Sequence, residues 1–168
     1  QEEIYFTSGG TEADNWALKA AAESCLAKGR HIITTKIEHH AILHTCQYLE
    51  ERGYEVTCLD VDGEGLVDVE RLKAAIRPDT ILISVMLANN EIGTIEPIEE
   101  IGAVAREKGI LFHTDAVQAL GQIPLDVEAL KVDMLSASAH KLNGPKGVGM
   151  LYIRSGTKIG SFLHGGAQ

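Results

Sequence analysis

Apolar positions along the chain follow two alternating rhythms. Short β-branched or apolar runs, EIYFTS, HIITTK, EVTCLDV, TILISVMLA, ILFHTDA, VDMLSASA and GVGMLYIR, read as strands. Between them lie segments whose apolar residues recur every three or four positions. TEADNWALKAAAESCLAKG reads as a helix with acids in its first turn and Gly29 as its stop. HHAILHTCQYLEERG repeats Ile42, Leu43, Cys46 and Leu49 before stopping at Gly53. Two further helices are expected at about 68–77 and 97–108, with Pro97 as a first-turn residue. A tight turn is expected to join GVGMLYIR to the strand before it. Strands separated by helices predict an α/β fold with a mainly parallel sheet. No repeat, low-complexity segment or linker interrupts the pattern, so residues 1–168 read as one domain.

Composition narrows the function classes. The net charge is −9, from 24 acids against 15 bases, which argues against a nucleic-acid partner. No apolar stretch is long enough to cross a bilayer and no signal-peptide pattern opens the chain, so no membrane role is expected. Three cysteines, Cys25, Cys46 and Cys58, lack zinc spacing and are odd in number, which points to a reduced, cytoplasmic protein. Neither Gln1 nor HGGAQ reads as a natural terminus, and the chain is expected to be a piece of a longer polypeptide.

In parallel α/β sheets ligands gather at the carboxyl ends of the strands, and here nearly every strand end is polar. TSGGTEADN places Gly10 and Thr11 at a helix start, where free N–H groups and the helix dipole suit an anion; a plain capped helix would look the same. Asp115 ends a strand, with Gln118 three residues on, and a carboxylate buried there needs a cation such as a protonated ring nitrogen, a lysine or an arginine. His40 and His44 share a helix face but lack a zinc signature, so no metal is expected; His39 at the helix edge could lie against a flat ring or move protons. Asn90 belongs to ANNEIG, readable as an Asn-stabilised turn or as an amide aimed at a ligand. In SASAHKLNGPKGVG, Lys141 follows a buried run; desolvation there would lower its pKa and free an amine able to form an imine, whereas a surface turn lysine is the plainer account. An anion cradle, a carboxylate for a ring nitrogen, a histidine for a ring face, amides and an imine-forming lysine are together the needs of pyridoxal 5′-phosphate.

TSGGTEADN, EHHAILHTCQYLE, NNEIGTI, FHTDAVQALGQIPLD and SAHKLNGPKGVGMLYIR, in this order over essentially the whole chain, resemble the cysteine desulfurase family. These are class V aminotransferases of the fold-type I pyridoxal-phosphate group. The resemblance implies a three-layer α/β/α sandwich like the aspartate aminotransferase major domain, and HKLNGPKGVG is similar to the group I branch, Lys146 being a branch marker. It further implies that Lys141 binds the cofactor aldehyde and moves protons at the substrate α-carbon. Ser138, His140, Thr11 and the backbone at Gly10 would hold the phosphate, and Asp115 the pyridinium nitrogen. Gln118 would lie near the ring hydroxyl, His39 on the ring face, and Asn90 near cofactor and substrate carboxylate. Ala139 stands where the family often has Gly.

The resemblance also implies a parent homodimer converting L-cysteine to L-alanine and passing sulfur, as a persulfide, to sulfur-acceptor or iron–sulfur scaffold proteins. The family's sulfur-accepting cysteine, substrate-carboxylate arginine and small C-terminal domain fall beyond Gln168, and an opening segment precedes Gln1, so residues 1–168 are expected to be a partial major domain, inactive alone. Selenocysteine lyase, another class V aminotransferase, and a non-catalytic cofactor-binding or assembly module are the alternatives.

Overall fold

The computed structural model describes residues 2–165, leaving Gln1 and the end of the glycine-rich loop, 166–168, outside the described residues. Seven strands form one sheet: β1 (Ile4–Thr7), β2 (His31–Thr35), β3 (Glu55–Leu59), β4 (Thr80–Ser84), β5 (Leu111–Asp115), β6 (Met134–Ser138) and β7 (Gly149–Ile153). Their order is β1-β7-β6-β5-β4-β2-β3. β2 through β6 pair in parallel, while β7 pairs antiparallel with both β6 and β1. The expected mainly parallel α/β sandwich is the observed architecture. β2, β4 and β6 are buried along their whole length, which is why they read as continuous runs rather than as alternating ones.

Helices cover both faces. α1 (Gly10–Ser24) and α2 (His40–Glu50) pack on one, where Leu18, Ile42 and Leu49 meet Ile32, Leu82 and Met134. α3 (Val69–Ala75) and α4 (Ile98–Lys108) pack on the other, against Ile33, Ile83, Phe112 and Leu135. The strands supply the two cores from alternate residues, as the pleat requires. α3 is capped by Asp68, which accepts from the Glu70 and Arg71 N–H groups; α4 carries Glu99 and Glu100 at its start and Arg106 and Lys108 at its end, matching its dipole.

Four details differ from the sequence reading. α1 ends at Ser24 rather than at Gly29. Gly29 instead permits a close approach, since a Cβ there would lie 2.1 Å from the Asp79 carbonyl oxygen. Pro97 flanks α4 rather than entering it. The short helix α5 (Val127–Leu130), capped by Asp126, has too few residues to show a period. Finally, β6 and β7 are joined by a longer excursion than a tight turn: a 3₁₀ turn over Ala139–Leu142, then Asn143 (φ 57°) and Gly147 (φ 81°) in left-handed backbone.

Candidate active site

The carboxyl ends of β2, β4, β5 and β6 and the start of α1 enclose a cavity of about 240 Å³. Gly10, Thr11, His39, Asn90, Asp115, Gln118, Ser138, His140 and Lys141 all line it, joined by Asp14, Met86 and Val117. Each arrives by a simple local device. Gly9 precedes α1 without a side-chain capping bond, which leaves the first-turn N–H groups of that helix for an anion. Gly10 touches the β5 loop so closely that a Cβ would lie 2.6 Å from Val117 Cγ2. Ser138 ends β6, and its Oγ lies 2.8 Å from His140 Nδ1, tying the strand end to the 3₁₀ turn.

The two readings of ANNEIG are divided between its asparagines. Asn89 builds the turn: its amide donates to the Ile37 carbonyl at 2.9 Å, and its Oδ1 accepts from the Glu91 and Ile92 N–H groups. Asn90 is thereby left to face the cavity. His39 caps α2, with Nδ1 accepting the Ala41 N–H at 3.1 Å. A ring accepting at Nδ1 carries its proton on Nε2. Of the two accounts of Lys141, the structure agrees with the plainer one: it stands exposed in the 3₁₀ turn beyond β6.

Charge beneath the cavity is dominated by buried acids. Asp115 is 5% exposed; its Oδ1 accepts the Val117 N–H at 2.8 Å, yet burial pushes its pKa upward, with His39 opposing. Glu38 accepts from Thr35 Oγ1 and the Met86 N–H, and burial pushes it to about 8. Asp14 is driven well up by burial and then by the charge of Asp115. His113, fully buried, is pushed down to about 3.

Asp14, Glu38 and His113 were not singled out in the sequence. The signal was present for one of them: His113 and Asp115 are two apart on β5 and therefore share a sheet face. The exposed rings of His40 and His44 stand 5.3 Å apart, and among the described residues no group of three metal-ligating side chains forms. The three thiols have pKa values raised chiefly by desolvation, and none lines the cavity.

A family model described as aminotransferase class-V matches residues 1–168. The chain belongs to the class V aminotransferase family. It is 64% identical over 168 residues to a protein of Clostridium botulinum (strain Kyoto / Type A2) named cysteine desulfurase IscS, covering 100% of this chain and 42% of that one. A protein of the same name from Methanosarcina thermophila is 62% identical, with the same coverage. Among solved structures, "SspA in complex with cysteine" superposes with a TM-score of 0.95 at 45% identity, covering 99% of this chain and 48% of that one. A NifS-like protein gives 0.94 at 49%, covering 99% and 46%. The chain thus spans under half the length of these relatives.

This class V aminotransferase chain offers what pyridoxal phosphate, the cofactor of the family, requires. Asp115 is a buried carboxyl that accepts an N–H and, among the described residues, makes no salt bridge; a protonated ring nitrogen would be such a partner. The uncapped start of α1 faces Ser138 and His140 across the cavity, and an amine, Lys141, stands beside them. The residues fit the group.

Proposed function

We propose that residues 1–168 are the pyridoxal-phosphate-binding major domain of a cysteine desulfurase. The longer polypeptide would convert L-cysteine to L-alanine and release the sulfur as an enzyme persulfide for iron–sulfur cluster or thio-cofactor assembly. The observation that carries this reading is the convergence, in one cavity, of the uncapped helix start, buried Asp115 and Lys141. The names of the relatives, cysteine desulfurase IscS, support the choice of substrate.

Bound pyridoxal phosphate would supply an aldehyde for the amine and a ring that withdraws electrons from the substrate α-carbon. Around it the chain's own groups have separable tasks. Thr11, Ser138, His140 and the N–H at Gly10 hold the phosphate, with the helix dipole adding to their donors. Asp115 keeps the ring nitrogen charged by pairing with it. Gln118 would lie beside the ring hydroxyl, and Asn90 beside the substrate carboxylate. Lys141 would hold the aldehyde carbon, and its amine would move the proton at the substrate α-carbon. His39, its proton on Nε2, lies on the ring face and can pass that proton on. Cys25, Cys46 and Cys58 are structural in this reading, and the sulfur-accepting thiol is another residue of the longer protein. The assembled protein is a cytoplasmic homodimer that hands sulfur to acceptor or iron–sulfur scaffold proteins. No described helix is long and apolar enough to cross a membrane.

Titration with pyridoxal phosphate followed by borohydride reduction tests the assignment. The expected result is a covalent adduct mapped to Lys141 and lost in Lys141→Ala. Absence of an adduct, or an adduct on another lysine, would overturn it.

A further inference from the structure

On one side of the cavity floor the sheet ends early. β2 stops at Thr35, while the chain beyond β4 stays paired with β5: the Val85 and Leu87 N–H groups donate to the His113 and Asp115 carbonyls at 3.2 and 2.8 Å. Successive N–H groups of an extended chain point to opposite sides, so the Met86 N–H between them faces the β2 side, where no strand remains. A side chain takes the place of that strand. Both carboxyl oxygens of Glu38 lie within reach of the Met86 N–H, at 3.0 and 3.1 Å.

Glu38 is buried, and its Oε1 also accepts the Thr35 hydroxyl at 2.7 Å, which aims the carboxyl across the gap. It does not line the cavity, but Met86 and the next residue in the chain, His39, both do. The segment leading to His39 is tied at each step. The Lys36 N–H donates to the Leu59 carbonyl at 3.0 Å, and the Ile37 carbonyl accepts the Asn89 amide at 2.9 Å. His39 follows, its ring oriented by the bond from the Ala41 N–H to Nδ1. The direction of the ring is therefore local to α2, whereas the place at which it enters the cavity depends on what holds Glu38.

Hydrogen bonding separates this carboxyl from an ordinary core side chain. A leucine would occupy similar space but leave the Met86 N–H, in a residue only 1% exposed, without an acceptor. An unpaired buried N–H costs its full desolvation, more than the net worth of the bond itself. Relief comes when segment 36–39 and Met86 part until water reaches the N–H, and that movement carries His39 with it. A glutamine, by contrast, keeps one carbonyl oxygen, and Oε1 alone already accepts from both Thr35 and Met86.

We propose that Glu38 is a positioning residue of the cavity, its carboxyl serving as the missing strand partner of Met86 and thereby setting where His39 enters. The task of His39 on the cofactor ring rests on the reading above; the bond between Glu38 and Met86 does not.

Amide hydrogen exchange and pyridoxal-phosphate titration of the intact protein test this. In Glu38→Leu, exchange at Met86 and Ala41 should quicken about tenfold or more, while Ile33 and Leu82, in the middle of β2 and β4, stay protected. Pyridoxal-phosphate affinity should fall about tenfold, the visible circular dichroism of the bound cofactor should change, and Glu38→Gln should restore all three readings. In a His39→Ala background, Glu38→Leu should cost little further affinity, since its effect runs through His39. Equal acceleration at all four amides, or the same affinity loss in both backgrounds, would reduce Glu38 to a stability role and overturn the proposal. Should Glu38→Leu not fold, Thr35→Val removes a bond that aims the carboxyl, and unchanged affinity and Met86 exchange in that variant would overturn it equally. If the parent protein binds no pyridoxal phosphate, the cofactor reading fails, and the Met86 and Ala41 exchange rates alone decide the role of Glu38.

Discussion

Replacing Gly149 with alanine should damage the fold and the phosphate cradle together. Gly149 opens β7, opposite Thr7 on β1 and Ser138 on β6. A Cβ at this position would lie 2.5 Å from the Gly9 carbonyl carbon, 2.6 Å from Gly9 Cα and 2.8 Å from the Ala137 carbonyl oxygen. All three are backbone atoms, so no rotamer change relieves the clash; the chain itself must shift. Overpacking of this kind costs about 1–3 kcal/mol. The stiffer unfolded chain of the alanine variant returns only ~0.4–1 kcal/mol. A net loss of roughly 1–2 kcal/mol corresponds to a Tm lowered by about 2–8 °C for a domain of this size. Gly63, which has nothing within 4 Å of its would-be Cβ, supplies the control, and Gly63→Ala should leave Tm nearly unchanged. Because Gly9 directly precedes α1, the same shift moves the first-turn N–H groups, so pyridoxal-phosphate affinity should fall by about tenfold or more. Thermal melts and absorbance titrations of both variants check the two effects. A Gly149→Ala protein as stable as its parent would refute the steric argument, and one that is destabilised with affinity intact would refute the link to the cradle.

Two further expectations follow from side chains near the cavity. Glu38 holds its proton to about pH 8, against an ordinary value of 4.5, so between these limits the folded chain binds more protons than the unfolded one and stability falls as pH rises. The loss near pH 7 is roughly 3 kcal/mol at ~1.4 kcal/mol per unit, and Glu38→Gln should flatten it; urea midpoints at about pH 5 and about pH 8 measure the difference, and parallel slopes would contradict it. Asn89→Ala should remove two donor bonds, to the Ile37 carbonyl and to Met86 Sδ, and two acceptor bonds within the 88–93 turn, lowering stability by about 1–3 kcal/mol in urea melts, whereas an unchanged midpoint would mean that Asn89 does not hold the turn.

The strands and the cavity were largely legible because both depend on local signals. Runs such as TILIS and MLSAS are buried from end to end because both faces are covered, so they read as runs without charge, and the polar residues that follow them fall at the sheet's carboxyl edge. What stayed hidden was non-local. α5 spans one turn and so carries no period. Gly29 looked like a helix stop because its actual neighbour, Asp79, is fifty residues away in the chain. For Lys141 the sequence left desolvation by the strand and a surface turn both open, and it is the 3₁₀ turn starting at Ala139 that leaves it exposed. Asp14, Glu38 and His113 gain their character from burial against one another, which single-residue motifs do not encode.

The edge position of β1 has a dynamic consequence. This strand is four residues long, bonds on one side to β7, and leaves Phe6 83% exposed. Short edge strands with little covering surface exchange their amide hydrogens through low-energy local openings. β1 leads through Ser8 directly into Gly9 and Gly10, so each fraying event also slackens the loop in front of α1. An anion held there would act as a latch on the strand, slowing exchange at Tyr5 and Phe6 although it touches neither.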